Sequence, residues 1–254
     1  MRCASRPRRS QPAGKAPHFR HARRSSVGVV LDVLLPQRCL VCGAAGPQLC
    51  ANCRAALPVL GPPLCERCGA PTAWPVRRCN ECAGRRLAFA SARAAVAYDD
   101  SVRLLVAGWK ERGLRRLADQ AALLVAERLP HPGAAVLTFV PPDGGRRLER
   151  GYHPAERLAA ALAAAWSLPC EPLLARSGRS RRQRGLSLRE RRRNVAGAFR
   201  ACGTPGARVV LVDDVYTSGA TVSAAASALR AAGARRVDVV TFARALRGSG
   251  QPRR

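Results

Sequence analysis

The run Val209-Val210-Leu211-Val212-Asp213-Asp214, with the loop Thr217-Ser218-Gly219-Ala220-Thr221 just beyond it, leaves few folds open to this chain. Four apolar, mostly β-branched residues in succession suit a parallel strand buried on both faces. Asp213 and Asp214 then fall where such a strand emerges at its carboxyl end, the edge at which open α/β sheets bind ligands. From Val222 to Ala232 an alanine-rich helical pattern follows, stopped by Gly233, so the segment reads as strand, loop and helix start. Backbone N–H groups and hydroxyls gathered at a helix N-terminus suit one phosphate group. Two carboxylates beside that phosphate would repel it, but they would accept hydrogen bonds from the vicinal hydroxyls of a ribose whose 5-phosphate fills the loop. The glycines match neither G-x-x-x-x-G-K-[ST] nor G-x-G-x-x-G, which removes the common nucleotide loops. An ordinary βα turn with acidic and hydroxyl caps is the plain alternative, and it rarely follows so apolar a strand.

Cysteine spacing constrains the amino-terminal part. Four C-x-x-C pairs, Cys39/Cys42, Cys50/Cys53, Cys65/Cys68 and Cys79/Cys82, stand in order. Two residues between thiolates let both sulfurs reach one tetrahedral zinc, and two pairs close a structural site with no open position. The spacing predicts two zinc ions, held by Cys39, Cys42, Cys50, Cys53 and by Cys65, Cys68, Cys79, Cys82, with a cross-braced pairing as the alternative. Gly43 and Gly69 each follow a pair, where a knuckle turn calls for positive φ. A thioredoxin-like redox site needs one such pair on a βα unit, and a disulfide-stapled module needs a secretory context. Too few apolar residues lie between Cys39 and Cys82 for an ordinary core, so metal must supply the fold there.

At 254 residues the chain has room for one α/β domain and a smaller one. Its formal net charge of +28 attracts polyanions, although Lys15 and Lys110 are its only lysines and the arginine excess is what a GC-rich coding sequence also produces. Residues 1–26 read as a disordered basic arm, 27–85 as a double zinc ribbon, 86–246 as the α/β domain and 247–254 as a disordered tail. The apolar run Val27 to Leu35 is interrupted by Asp32 and lacks a cleavage site, so no signal peptide is expected, and no run approaches a membrane span. The thiol-rich sequence then points to the cytoplasm.

In the α/β part, Phe89 to Tyr98 reads as a strand and Ser101 to Leu129 as an amphipathic helix broken near Gly113. Gly108 and Gly113 bracket Lys110, either as a simple helix break or around a cation that meets a phosphate. A short strand, Val136 to Val140, leads to Arg146, Arg147 and Arg150 before a helix at Ala155 to Trp166. Those arginines would reach the ligand edge and suit a pyrophosphate, unless they form only a solvated cluster. Arg176 to Arg193 holds nine arginines and one acid, Glu190. Its first half, Ser177 to Ser187, should be a mobile cationic loop, serving as a lid or as a polyanion-binding arm.

The segment Val209 to Thr221 resembles the phosphoribosyl-pyrophosphate (PRPP) signature of the type I phosphoribosyltransferases. Over residues 27–244 the chain resembles the ComF family of competence-associated proteins. The matching segments are the paired C-x-x-C ribbons, Lys110-x-x-Gly113 with the following Arg and Leu-Ala, Arg150-Gly151-Tyr152, Gln183-x-Gly-Leu-Ser with Arg191, Asn194 and Ala198-Phe199, and the PRPP signature. Where the family commonly has Arg-Gly-Phe-Asn-Gln, this chain has Arg150-Gly151-Tyr152-His153-Pro154 and loses two amide side chains. The resemblance implies a mainly parallel five-stranded sheet flanked by helices behind a small zinc-ribbon domain. It also implies that Asp213 and Asp214 hold the ribose hydroxyls, that Thr217, Ser218, Gly219, Ala220 and Thr221 hold the 5-phosphate, and that Mg²⁺ accompanies the pyrophosphate. Lys110, Arg146, Arg147 and Arg150 are the candidates for pyrophosphate or polyanion contact. The function implied is a PRPP-binding, phosphoribosyltransferase-like protein of DNA uptake or nucleotide metabolism, in contact with a DNA-uptake complex. The alternative is a non-catalytic single-stranded DNA-binding module that senses PRPP in the same pocket.

Overall fold

A computed structural model describes residues 37–133, 135–142, 153–177 and 197–246. The basic arm, Arg146, Arg147, Arg150, all of the arginine-rich loop after Ser177, and the tail lie outside the described residues.

Four strands, β1 (Ser91–Ala97), β2 (Val136–Phe139), β5 (Arg208–Tyr216) and β6 (Arg236–Arg244), form a wholly parallel sheet in the order β1-β6-β5-β2. Strands β3 (Leu174–Arg176) and β4 (Phe199–Ala201) pair antiparallel as a separate ribbon. Among the described residues, the fifth strand expected of the main sheet is reduced to a trace at each edge. Beyond β2, Cys170 makes a single parallel bridge to Leu137, and the ladder stops because the flanking Pro169 and Pro172 have no N–H to give. Beyond β1, the linker between the cysteine clusters lies antiparallel: Leu60 N–H donates to the Ala95 carbonyl (3.0 Å) and Ala97 N–H to the Pro58 carbonyl (2.7 Å).

Both faces of the sheet are covered, which is why β5 and β6 are apolar almost throughout. Helices α2 (Asp100–Glu111), α3 (Arg116–Arg128) and α4 (Pro154–Ala165) share one core with Val210, Val212, Val240 and Phe242. Helix α5 (Ala220–Ala231) shares the other with Val209, Leu211, Val237 and Val239. The predicted break at Gly113 is real, and α2 is opened by Asp99, whose carboxylate accepts from Val102 N–H at 2.8 Å. His153 and Pro154, where the family pattern has amides, start α4 instead: the His153 ring accepts from Glu156 N–H at 3.2 Å, and Pro154 takes the first turn, where a missing N–H costs nothing.

The two cysteine clusters clasp the sheet edge from opposite faces. The first, with the short helix α1 (Ala51–Ala55), packs Leu49 and Leu57 into the α2–α3 core. Gly108 permits this approach, since a Cβ there would lie 2.5 Å from Leu40. The second cluster buries Cys65, Cys68, Ala70 and Cys82 in the α5 core. Its knuckle turn uses Gly69 at φ +68°, and an added Cβ would sit 2.4 Å from the Ala92 carbonyl oxygen of β1. No helix among the described residues is long and apolar enough to cross a membrane.

Candidate functional site

Strand β5 does not end at Val212 but carries both carboxylates inside the ladder and continues to Tyr216. Each acid satisfies the backbone beside it: Asp213 Oδ1 accepts from Asp214 N–H at 3.0 Å and Asp214 Oδ1 from Val215 N–H at 2.7 Å. The alternation of the strand shifts across the pair, since Val210, Val212 and Val215 face one core while Val209, Leu211 and Tyr216 face the other. Asp214 is buried and forms an ion pair with Lys110 at 2.6 Å. Of the two readings of the Gly108–Gly113 segment, the helix break holds, with the glycines serving packing and the turn, while Lys110 pairs with an acid.

Among the described residues, Asp213 has no such ion pair. Burial and the adjacent Asp214 charge raise its carboxyl to about 7, against the pull of Lys110, a backbone N–H and Arg176. Arg176 was visible in the sequence only as the first of many arginines. Its position follows from tertiary contacts, with Nε donating to the Pro141 carbonyl at 3.1 Å and the guanidinium 4.8 Å from the Phe199 ring centre. The chain leaves β2 at Pro141-Pro142, on the same edge as Asp213.

The loop after β5 is held from beneath. Gly219 adopts φ +72° at the start of α5, and a Cβ there would fall 2.2 Å from the Tyr216 hydroxyl, so both the turn and the close contact require glycine. Gly219 at the cap position brings no side chain of its own to the first N–H groups of α5. Ser218 Oγ approaches Ala220 N–H at 3.4 Å, and its carbonyl accepts from Arg85 at 2.6 Å. Thr217 is exposed and Thr221 half-buried. Asp213, Asp214, Lys110 and the loop Thr217 to Thr221 thus gather at one edge.

Below this edge, Arg244 ties the loop floor to the second cysteine cluster. Only 1 % of it is exposed. It donates to the Cys68 carbonyl at 2.6 Å and to Glu81 at 2.7 Å, and it stacks 4.6 Å from the Tyr216 ring centre. Sequence reading passed over Arg244 because one more arginine at a strand end carries no signal in this composition.

The eight cysteines fall into the two sequential groups, Cys39, Cys42, Cys50, Cys53 and Cys65, Cys68, Cys79, Cys82, each with its sulfurs within 4.8 Å of one another, which rules out cross-bracing. Sulfur separations of 3.8 Å for Cys42–Cys50, 3.5 Å for Cys68–Cys79 and 3.6 Å for Cys65–Cys82 match the edge of a zinc–thiolate tetrahedron, about 3.8 Å for bonds of ~2.3 Å. Burial opposes ionisation of Cys39, but N–H groups of Cys50, Cys42 and Val41 outweigh it and hold the thiol at about 6. Backbone N–H groups likewise bring Cys65 to about 7 against its burial. These are structural zinc sites, closed by four sulfurs each.

Comparison with known proteins agrees with this architecture. Residues 30–83 match the double zinc ribbon domain and residues 148–254 the phosphoribosyl transferase domain. The fold and cysteine sites define a zinc-ribbon protein with a phosphoribosyltransferase-type α/β domain. Competence protein F of Haemophilus influenzae is 29% identical over 227 residues, covering 82% of this chain and 97% of that protein. The DNA utilization protein YhgH of Salmonella typhi is 30% identical over 195 residues, covering 72% and 85%. The chain belongs to this ComF/YhgH family. Among solved structures, the glutamine PRPP amidotransferase of B. subtilis is 27% identical with a TM-score of 0.35, covering 49% of this chain and 25% of that one, so the chain spans about a quarter of that enzyme's length. Orotate phosphoribosyltransferase from Aeropyrum pernix is 24% identical with a TM-score of 0.31, covering 62% and 71%.

Proposed function

We propose that this chain binds PRPP, or another 5-phosphorylated ribose, at the carboxyl edge of β5, and serves DNA uptake or nucleotide metabolism in the cytoplasm. The observation that carries this reading is the joining, within one strand-loop-helix unit, of an acid pair and a helix start whose cap position is glycine. The 5-phosphate would accept from the N–H groups of Gly219, Ala220 and Thr221 and from the Thr217, Ser218 and Thr221 hydroxyls, in the positive end of the α5 dipole. The ribose hydroxyls would donate to Asp213 and Asp214. Lys110 cancels one of the two negative charges, so the acid pair tolerates a nearby phosphate better than two free carboxylates would.

The acid pair also suits Mg²⁺. Two crowded carboxylates share a single lysine, and a cation near Asp213 would supply the missing positive charge. When bound, the ion would neutralise pyrophosphate oxygens. Arg146, Arg147 and Arg150 are the candidate donors to the same group. If a transfer reaction follows, the chain's contribution is positioning of the ribose and stabilisation of the departing charge.

Calorimetric titration with PRPP and Mg²⁺ tests this. Wild-type protein should bind, and Asp213→Asn/Asp214→Asn should lose about 1.5–3 kcal/mol per charged hydrogen bond with zinc content unchanged. Thr221→Val should weaken ribose 5-phosphate as well. Unaltered PRPP binding in both variants would place the pocket elsewhere.

A further inference from the structure

A groove of about 710 Å³ lies between the second zinc ribbon and the amino ends of β1 and β6. Its walls carry Arg67, Arg77 and Arg78 from the ribbon, Arg93 and Arg236 from the strands, and one acid, Glu66. We infer that this groove is a second anion site, which takes the phosphate groups of a nucleotide or of a nucleic-acid strand. It lies apart from the Asp213 edge and does not rest on the PRPP reading. Arg236 and Thr241, the β6 partner of Asp213, are five residues apart, or roughly 16 Å of strand.

An arginine-rich composition alone does not produce this arrangement, because exposed guanidinium groups free to move spread apart in water. Here backbone carbonyls hold them together. Arg67 donates to the Leu87 carbonyl at 2.6 Å, Arg78 to the Arg85 carbonyl at 3.1 Å, and Arg93 to the Glu66 carbonyl at 3.0 Å. Arg236 is fixed by Asp238 at 2.7 Å. Each guanidinium has five donors, so these anchors leave others over. Five arginines against one acid line this concavity, so its field favours an anion. Several planar donors converging on one concavity favour phosphate oxygens. Ala90 and Ser91 supply the rest of the wall, with no aromatic face for a base, so the ligand would be read by its phosphates.

The test is calorimetry at low salt with two probes, inorganic pyrophosphate and a twelve-residue oligothymidylate, on the zinc-loaded full chain. Arg77→Glu alters an exposed residue of the ribbon wall, Arg236→Gln alters the strand wall, and Arg128→Glu on α3 matches the charge change of the first at a distance. At least one probe should bind wild-type protein, weaken fivefold or more in both groove variants, and change less than twofold in Arg128→Glu. Hydrogen exchange should slow at residues 66–78 and 90–93 on binding. Oligothymidylate that stays bound under excess pyrophosphate identifies a strand as the ligand, and displacement identifies a free phosphate compound. Asp213→Asn/Asp214→Asn should leave groove binding intact, which separates this site from the PRPP pocket. Binding of neither probe, equal weakening in all three arginine variants, or protection confined to the Asp213 edge would overturn the inference.

Discussion

Asp213 carries a carboxyl that the fold disfavours as an anion. Its carboxyl, raised to about 7 by burial and by Asp214, binds a proton more tightly folded than unfolded, where the ordinary value is 3.8. The folded state therefore gains stability as pH falls from about 7 toward 3.8, and above 7 the full penalty of a buried charge remains. Asp213→Asn should melt higher than wild type at pH 8, with the difference shrinking toward pH 4, as thermal unfolding across that range would show. A constant difference would mean that Asp213 is not the titrating group. Lys110→Met has the opposite sign, because it leaves Asp214 buried and unpaired. With the lysine partly exposed, the loss should be about 1–2 kcal/mol in urea unfolding, below the cost for a fully buried pair. The presence of both acids was legible in the sequence, since they end an apolar run. Their unequal state was not, because it depends on Lys110, a hundred residues away along the chain.

At the scale of elements, local pattern reached far. The turn at Gly113, the strand Val136–Phe139 and the start of α5 all follow from short-range periodicity and glycine placement. Two things did not. Strand β5 outran its apolar core by four residues, Asp213 to Tyr216, because β6 lies alongside and pairs with them. The bond between the second ribbon and the loop floor rests on Arg244, whose partners Cys68 and Glu81 lie far off in sequence. Arg244→Leu would strand Glu81 and the Cys68 carbonyl. It should cost about 3 kcal/mol and, if the PRPP reading is right, weaken ribose 5-phosphate binding although Arg244 lies beneath the loop. A variant that loses stability but retains full affinity would show that the ribbon and loop are not coupled.

For the whole molecule, cysteine spacing gave two metal modules in sequence order, and the pairing found is the sequential one. Spacing says nothing about where the modules dock, because docking is decided by the apolar faces of Leu49, Leu57, Ala70 and Cys82. Since the second ribbon contributes to the same core as α5, zinc removal should do more than unfold residues 37–85. Gently purified protein should hold about two zinc ions, and a strong chelator should lower the melting temperature of the helices followed by circular dichroism. An unchanged helical transition after complete zinc loss would mean that the core closes without the ribbons.

The three-residue linker strand, Pro58 to Leu60, has a further consequence for anyone shortening this chain. It occupies the open side of β1 by accepting from Ala97 and donating to Ala95. With both zinc modules removed, β1 would present a bare row of peptide groups, and an uncovered strand is a template for pairing with another copy. A truncated α/β fragment should therefore self-associate in proportion to its concentration, which sedimentation would reveal. The clasp that bridges the two modules thus covers the side of β1 that β6 leaves open.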